Sequence, residues 1–206
     1  MKFNLDKKLI ACGFIGPIIF FFTVYFLFQF FYSGYDMLNY GISALGALNS
    51  PVKLITNVLG FSLFGIFIML FSFGIFRSKE INALGKVGAF FIFATGILMY
   101  LVGIFYAHSA SGTYSILDKM HNAASNYQFP ILALGLVIFA FSVSENKKLR
   151  WLTPVILFLG IITLILAYIF FFTPDLTNSG VWQRAAIGLP YLIMTIIAIT
   201  MYRNMK

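Results

Sequence analysis

Charge is what this sequence has least of. Asp and Glu together number 6 in 206 residues and charged side chains make up 10%, against about 25% in an ordinary globular chain. That scarcity excludes a soluble domain with a normally solvated surface. Cysteine is nearly absent: the lone Cys12 cannot close an intramolecular disulfide, and a Cys-rich metal centre is excluded with it. Histidine occurs only at His108 and His121, so a three-histidine zinc hydrolase site is excluded. Both histidines sit at the same boundary of the apolar runs, which speaks against a pair bracketing a haem. No metal and no cofactor is therefore expected. No polar stretch is long enough to hold a soluble catalytic domain. No low-complexity linker or solenoid repeat divides residues 1–206, which read as one domain.

What the chain has instead is apolar surface: 61% hydrophobic, 19% aromatic and a mean hydropathy of +0.94. A membrane helix uses ~20 residues, and six apolar runs of that size stand out. They run from about Leu9 to Phe31, Val52 to Phe76, Val87 to Ala107, Ala123 to Val143, Trp151 to Phe172 and Ala185 to Tyr202. The fourth opens with Asn122, Ser125, Asn126 and Gln128, so its first turns must lie at the interface or against protein rather than bare lipid. The first run exceeds the usual 7–15-residue apolar region of a signal peptide and lacks a small-x-small cleavage site, so it reads as a retained helix. The expected fold is all-α: a polytopic membrane protein, a bundle of six transmembrane helices.

The polar gaps sort by charge. Eleven of the fourteen basic residues fall in the N-terminus, the second-to-third and fourth-to-fifth connections and the tail, against Asp6, Glu80 and Glu145. The opposite side holds Lys53, Lys119 and Arg184, balanced by Asp36, Asp118 and Asp175. The positive-inside rule puts the basic face, with both termini, in the cytoplasm. Basic clusters flanking helices act as topology determinants and contacts for anionic head groups, so nucleic acid is not an expected partner.

Association in lipid must come from close packing of small residues and from interhelical polar contacts. Glycines at 13, 16, 60, 65, 96, 103 and 135 supply the first. Trp151, Trp182 and tyrosines 32, 35, 40, 114 and 127 suit interfacial belts. In the first outer connection, Ile42 to Leu48 reads as a short interfacial or re-entrant helix lying over the bundle, with Ser43 and Asn49 beside it, and Asp36 with Lys53 reads as a surface ion pair.

Over essentially its whole length the chain resembles the uncharacterised prokaryotic membrane family termed domain of unknown function 998. The resemblance rests on Gly16-Pro17, on Tyr40 with Ile42-Ser43-Ala44-Leu45-Gly46 and Ser50-Pro51, on Asn57 with Gly60 and Gly65, on His121, and on Gly180 with Gln183-Arg184. The family commonly shows an acidic residue within the serine–leucine–glycine segment and another before the arginine; Ala44 and Gln183 stand there in this chain. The resemblance implies a six-helix bundle and no established activity.

The candidate site is His121, Asp118, His108 and Arg184, with Ser43 and Asn49 as neighbours. On a helix, Asp118 and His121 share a face. They could cap and orient the start of the fourth helix, form a polar head-group site, serve as a base, or bind a metal if His108 returned as a third ligand. Arg184 opens the sixth span, where a guanidinium fork suits phosphate or carboxylate or snorkels to a nearby Asp. The first function expected is a lipid-interacting or accessory protein with a polar site at the outer face of a prokaryotic plasma membrane. Its partners are membrane lipids, with a membrane-protein partner or a homo-oligomer also open. The alternative is a membrane-embedded hydrolase using His121 and Asp118. A transporter comes third, because no span has a charged residue near its centre.

Overall fold

The computed structural model of the chain describes residues 5–106, 115–173 and 177–205. Six of its helices are long and apolar enough to cross a membrane: α1 (Leu5–Phe31), α2 (Lys53–Arg77), α3 (Ala83–Ile104), α4 (Ile116–Val143), α5 (Leu152–Phe172) and α6 (Ser179–Asn204). No strand occurs among the described residues. Two helices start well before the apolar runs that announce them. α4 begins at Ile116 because Ser115 and Asp118 form a reciprocal capping box, which satisfies two otherwise orphaned backbone donors. α6 begins at Ser179, after Asn178 turns the chain through a left-handed conformation (φ 56°) that Asn tolerates better than most residues. Hydropathy could register neither signal, since both lie in polar sequence.

Each helix packs against the next along the chain, and α6 returns against α1 to close a ring. Aromatic side chains fill its centre. Phe20 stacks on Phe64 at 4.4 Å between centroids, and Tyr191 meets Phe64 edge-on at 4.6 Å. Between α2 and α3, Gly65 lies against the backbone of Gly96 and Tyr100, the close approach that small residues permit where lipid offers no hydrophobic drive. α5 is the least buried helix of the ring.

The two ends of the bundle differ in chemistry. At one end Asp6 pairs with Arg77 and Glu80 with Lys148, while Lys7 lies over the ring of Tyr202. These contacts gather the N-terminus, the α2–α3 and α4–α5 connections and the end of α6 on the basic side. At the other end the segment 32–52 covers the bundle. The expected interfacial helix there is a single 3₁₀ turn, Ile42–Gly46. The expected Asp36–Lys53 pair does not form. Asp36 instead accepts from the Leu38 N–H and the Asn39 amide, and Lys53 sits over the ring of Tyr106. Those two hydrogen bonds, the Asn39 one foremost, hold the Asp36 carboxyl below the ordinary carboxylate value.

Both helices beneath this cover are locally widened into π turns, at Phe21–Leu27 in α1 and Thr56–Ser62 in α2. Such turns recur at functional sites. Here they leave Asn57 donating to Gly46 O, and Tyr25 donating to Arg184 O.

Candidate functional site

The cover is fastened to the first turns of α6. Four successive carbonyls, from residues 37 to 40, turn toward that helix terminus, where backbone N–H groups would otherwise lack partners. Leu38 O accepts from Val181 N, and Asn39 O from the Ser179 hydroxyl. Met37 O and Tyr40 O accept from one terminal nitrogen of Arg184, at 2.7 and 2.9 Å, and Gly180 O accepts from the same nitrogen. A side chain at residue 180 would collide with the carbonyls of Met37, Leu38 and Tyr40, so glycine is what lets the loop close. The other terminal nitrogen of Arg184 donates to the Tyr35 hydroxyl at 2.6 Å, which itself donates to Gly41 O at 3.0 Å. Burial pushes the Tyr35 phenol above its ordinary value while the guanidinium pulls it down, and the phenol keeps its proton for that second bond. Arg184 is 8% exposed; it is a clasp between α6 and the loop.

Beneath the clasped loop lies a small cavity of about 10 Å³, room for one water molecule. His121, Ser125 and Gln128 of α4 line it from one side, at a spacing of four and three residues that puts them on one helix face. Ser43 of the loop and Gln183 of α6 close it from the other, with apolar walls from Phe61, Met99 and Ile187. The Nδ1 of His121 faces two backbone carbonyls, Phe105 O at 2.5 Å and Val102 O at 3.2 Å. Nδ1 must therefore carry the hydrogen, which makes Nε2 of the uncharged ring an acceptor. Gln128 accepts from the Tyr191 hydroxyl at 3.0 Å, and Gln183 accepts from Ile42 N–H at 2.6 Å. That leaves both amide NH2 groups, the hydroxyls of Ser43 and Ser125 and His121 Nε2 without a hydrogen bond among the described residues. No side chain of formal charge lines the cavity.

The residues expected from sequence therefore take different roles. His121 and Ser43 meet in the cavity. Arg184 lies one residue from its rim, with both terminal nitrogens spent on the loop and Tyr35. Asp118 is buried in the capping box at the start of α4, its carboxylate accepting from Ser115 N and Oγ at 2.9 and 2.8 Å. Asp118, His121 and Arg184 thus serve a cap, a cavity and a clasp at one end of the bundle, with Asp118 close enough to His121 to act on its ring electrostatically. Asn49 is exposed and away from the cavity lining. His108 and Asp175 lie outside the described residues. Among the described residues no group of three His, Cys, Asp or Glu side chains is placed to hold a metal. Sequence reasoning assigns Ser125 and Gln128 to the polar start of the fourth run, Tyr35 to an interfacial belt and Gln183 to the family motif, and none of them to the site, although the His121–Ser125–Gln128 spacing is a helical stripe readable in the sequence.

A larger recess, about 500 Å³, lies between α4 and α5, walled by Phe129, Pro130, Leu164, Ala167 and Phe171. Asn126, Tyr127 and Tyr168 contribute the polar atoms of its lining.

The comparisons with known proteins speak to family rather than to activity. No curated protein and no solved structure matches this chain. A family match covers residues 14–200, nearly all of the six-helix bundle with the loop, the clasp and the cavity. The chain belongs to the family described as Protein of unknown function (DUF998).

Proposed function

We propose that this is a lipid-interacting membrane protein that takes a polar group of a membrane ligand into the cavity beneath the Arg184-clasped loop. One observation carries the reading: five polar side chains converge on one cavity with hydrogen-bonding capacity unspent. An occupant that offers both donors and acceptors would pair these groups where they face the cavity, each hydrogen bond contributing about 0.5–1.5 kcal/mol. His121, Gln128, Gln183, Ser43 and Ser125 are the binding groups in this reading, and Arg184 positions the loop that supplies Ser43. The apolar recess between α4 and α5 is of a size and lining suited to hydrocarbon chains.

The test is to purify the protein from membranes in mild detergent and identify the retained lipids by mass spectrometry. Wild type is expected to retain one lipid class that His121→Leu and Gln128→Leu lose. The same lipid profile in all three proteins would remove the reading.

A second reading, a membrane-embedded hydrolase, is favoured by the His121 geometry. A ring fixed through Nδ1 with Nε2 facing a cavity beside two hydroxyls is how a general base is oriented. Release of a hydrolysed product that stops with His121→Ala would place this reading first.

The basic end of the bundle is assigned to the cytoplasm of a prokaryotic cell and the clasped loop to the outer face, on the positive-inside rule. In a Cys12→Ser background, an impermeant thiol reagent added to intact cells is expected to label Asn49→Cys and to miss Lys147→Cys. The opposite pattern would invert the orientation.

A further inference from the structure

We infer that the group this cavity accepts is the hydroxyl of an uncharged lipid, and not a phosphate or other anion. The inference rests on the ligand-site reading above and names its chemistry.

Three features select the group. The first is size: a cavity of about 10 Å³ admits one oxygen atom with its hydrogen, not a tetrahedral phosphate. The second is charge. No Lys, Arg, Asp or Glu lines the cavity, and the nearest guanidinium, Arg184, has both terminal nitrogens bonded to the loop and Tyr35. An anion there would be desolvated with no charged side chain in the lining, Arg184 keeping only its Nε–H unpartnered outside it, and this is far more costly than burying a neutral polar group. The third is the pattern of donors and acceptors. His121 Nε2 requires a hydrogen, whereas the amide groups of Gln128 and Gln183 offer hydrogens. A carbonyl or ester oxygen could satisfy the amides but could give nothing to His121. A hydroxyl does both through one atom, donating to Nε2 and accepting from an amide NH2.

The same chemistry is available from a lipid alcohol and from a small soluble alcohol. The lipid is favoured because every lining residue outside the loop belongs to a membrane-spanning helix and the loop covers the cavity from the aqueous end. A diacylglycerol, whose head group is a single free hydroxyl, is the simplest lipid of this kind. Its chains stay in the bilayer while the hydroxyl fills the cavity.

The experiment uses the full chain in phosphatidylcholine nanodiscs, titrated with dioleoylglycerol, with dioleoylphosphatidic acid bearing the same chains, or with glycerol. Thermal unfolding reads binding, because a ligand that prefers the folded state raises the midpoint. A Ser125→Val variant fills the cavity without removing any hydrogen bond that Ser125 makes to the protein. Dioleoylglycerol is expected to raise the wild-type midpoint with an apparent affinity at least ~10-fold above that of phosphatidic acid, the worth of about one hydrogen bond. Ser125→Val is expected to abolish the shift.

Equal or stronger binding of phosphatidic acid, still abolished by Ser125→Val, would overturn the hydroxyl assignment while leaving the ligand site standing. A shift reproduced by glycerol alone would overturn the assignment to a lipid. No shift with any additive, or a shift indifferent to Ser125→Val, would overturn the site reading itself and leave a cavity that holds water only.

Discussion

Gly65→Val is expected to prevent the bundle from assembling. A β-carbon at residue 65 would lie 2.5 Å from Tyr100 N, 2.6 Å from Gly96 O and 2.9 Å from Tyr100 Cα. All three are backbone atoms that cannot swing aside, so α2 and α3 would have to separate along their whole interface. Overpacking a well-fitted core costs ~1–3 kcal/mol even where side chains can adjust, and here they cannot. Separation would also uncouple the Ser62 hydroxyl from Tyr100 O, 3.3 Å away. The variant is expected to lose its monodisperse size-exclusion peak in mild detergent, and Gly65→Ala to show the same defect in milder form. Gly160→Ala is the control. A β-carbon at residue 160 meets nothing within 4 Å, so this change should leave the peak intact and raise stability by up to about 1 kcal/mol through helix propensity. Normal behaviour of Gly65→Val would mean that α2 and α3 do not meet at this glycine.

Arg184→Ala is the second large effect. The substitution removes one guanidinium nitrogen whose two N–H groups are shared among three carbonyls, and a bond from the other nitrogen to Tyr35. Hydrogen bonds to charged groups contribute about 1.5–3 kcal/mol each, and some of the released carbonyls regain water, so the net loss is taken as ~3 kcal/mol. For a chain of this size that lowers the unfolding midpoint by roughly 6–12 °C. Arg184→Lys should fall between, since an ammonium keeps the charge and loses the planar fork. Tyr35→Phe should cost about 1.4 kcal/mol, because the hydroxyl both accepts from Arg184 and donates to Gly41 O. An Arg184→Lys variant as stable as wild type would show that the fork geometry is not what fastens the loop.

The six helices were legible because each must cover ~30 Å of hydrocarbon and so leaves a run of apolar residues. Their starts were less so, since the Ser115–Asp118 cap and the left-handed Asn178 lie in polar sequence where hydropathy is silent. For Asp118 the capping alternative is the one the geometry displays. Arg184 shows where sequence reasoning stops. A lone arginine at a helix start suggests a free fork, but nothing in the chain order shows that the carbonyls of residues 37 to 40 fold over the same turn. The cavity was half legible. His121, Ser125 and Gln128 repeat at helical spacing and could have been grouped as one face. Ser43 and Gln183 join them only through contacts between residues more than fifty apart in the chain, as in the Gln183–Ile42 bond.

The account turns on a polar cavity kept shut by the clasp between Arg184, Tyr35 and the loop. Ser125 lines that cavity and makes no hydrogen bond to the protein among the described residues, so Ser125→Cys in a Cys12→Ser background reports on access to it. Labelling by a small uncharged thiol reagent is expected to be slow in that protein and at least ~10-fold faster once Tyr35→Phe is added, which corresponds to weakening loop closure by about 1.4 kcal/mol. Asn49→Cys, on the exposed part of the loop, should label at one rate in both backgrounds. Rapid labelling of Ser125→Cys that Tyr35→Phe leaves unchanged would contradict the clasped cavity and the site built on it.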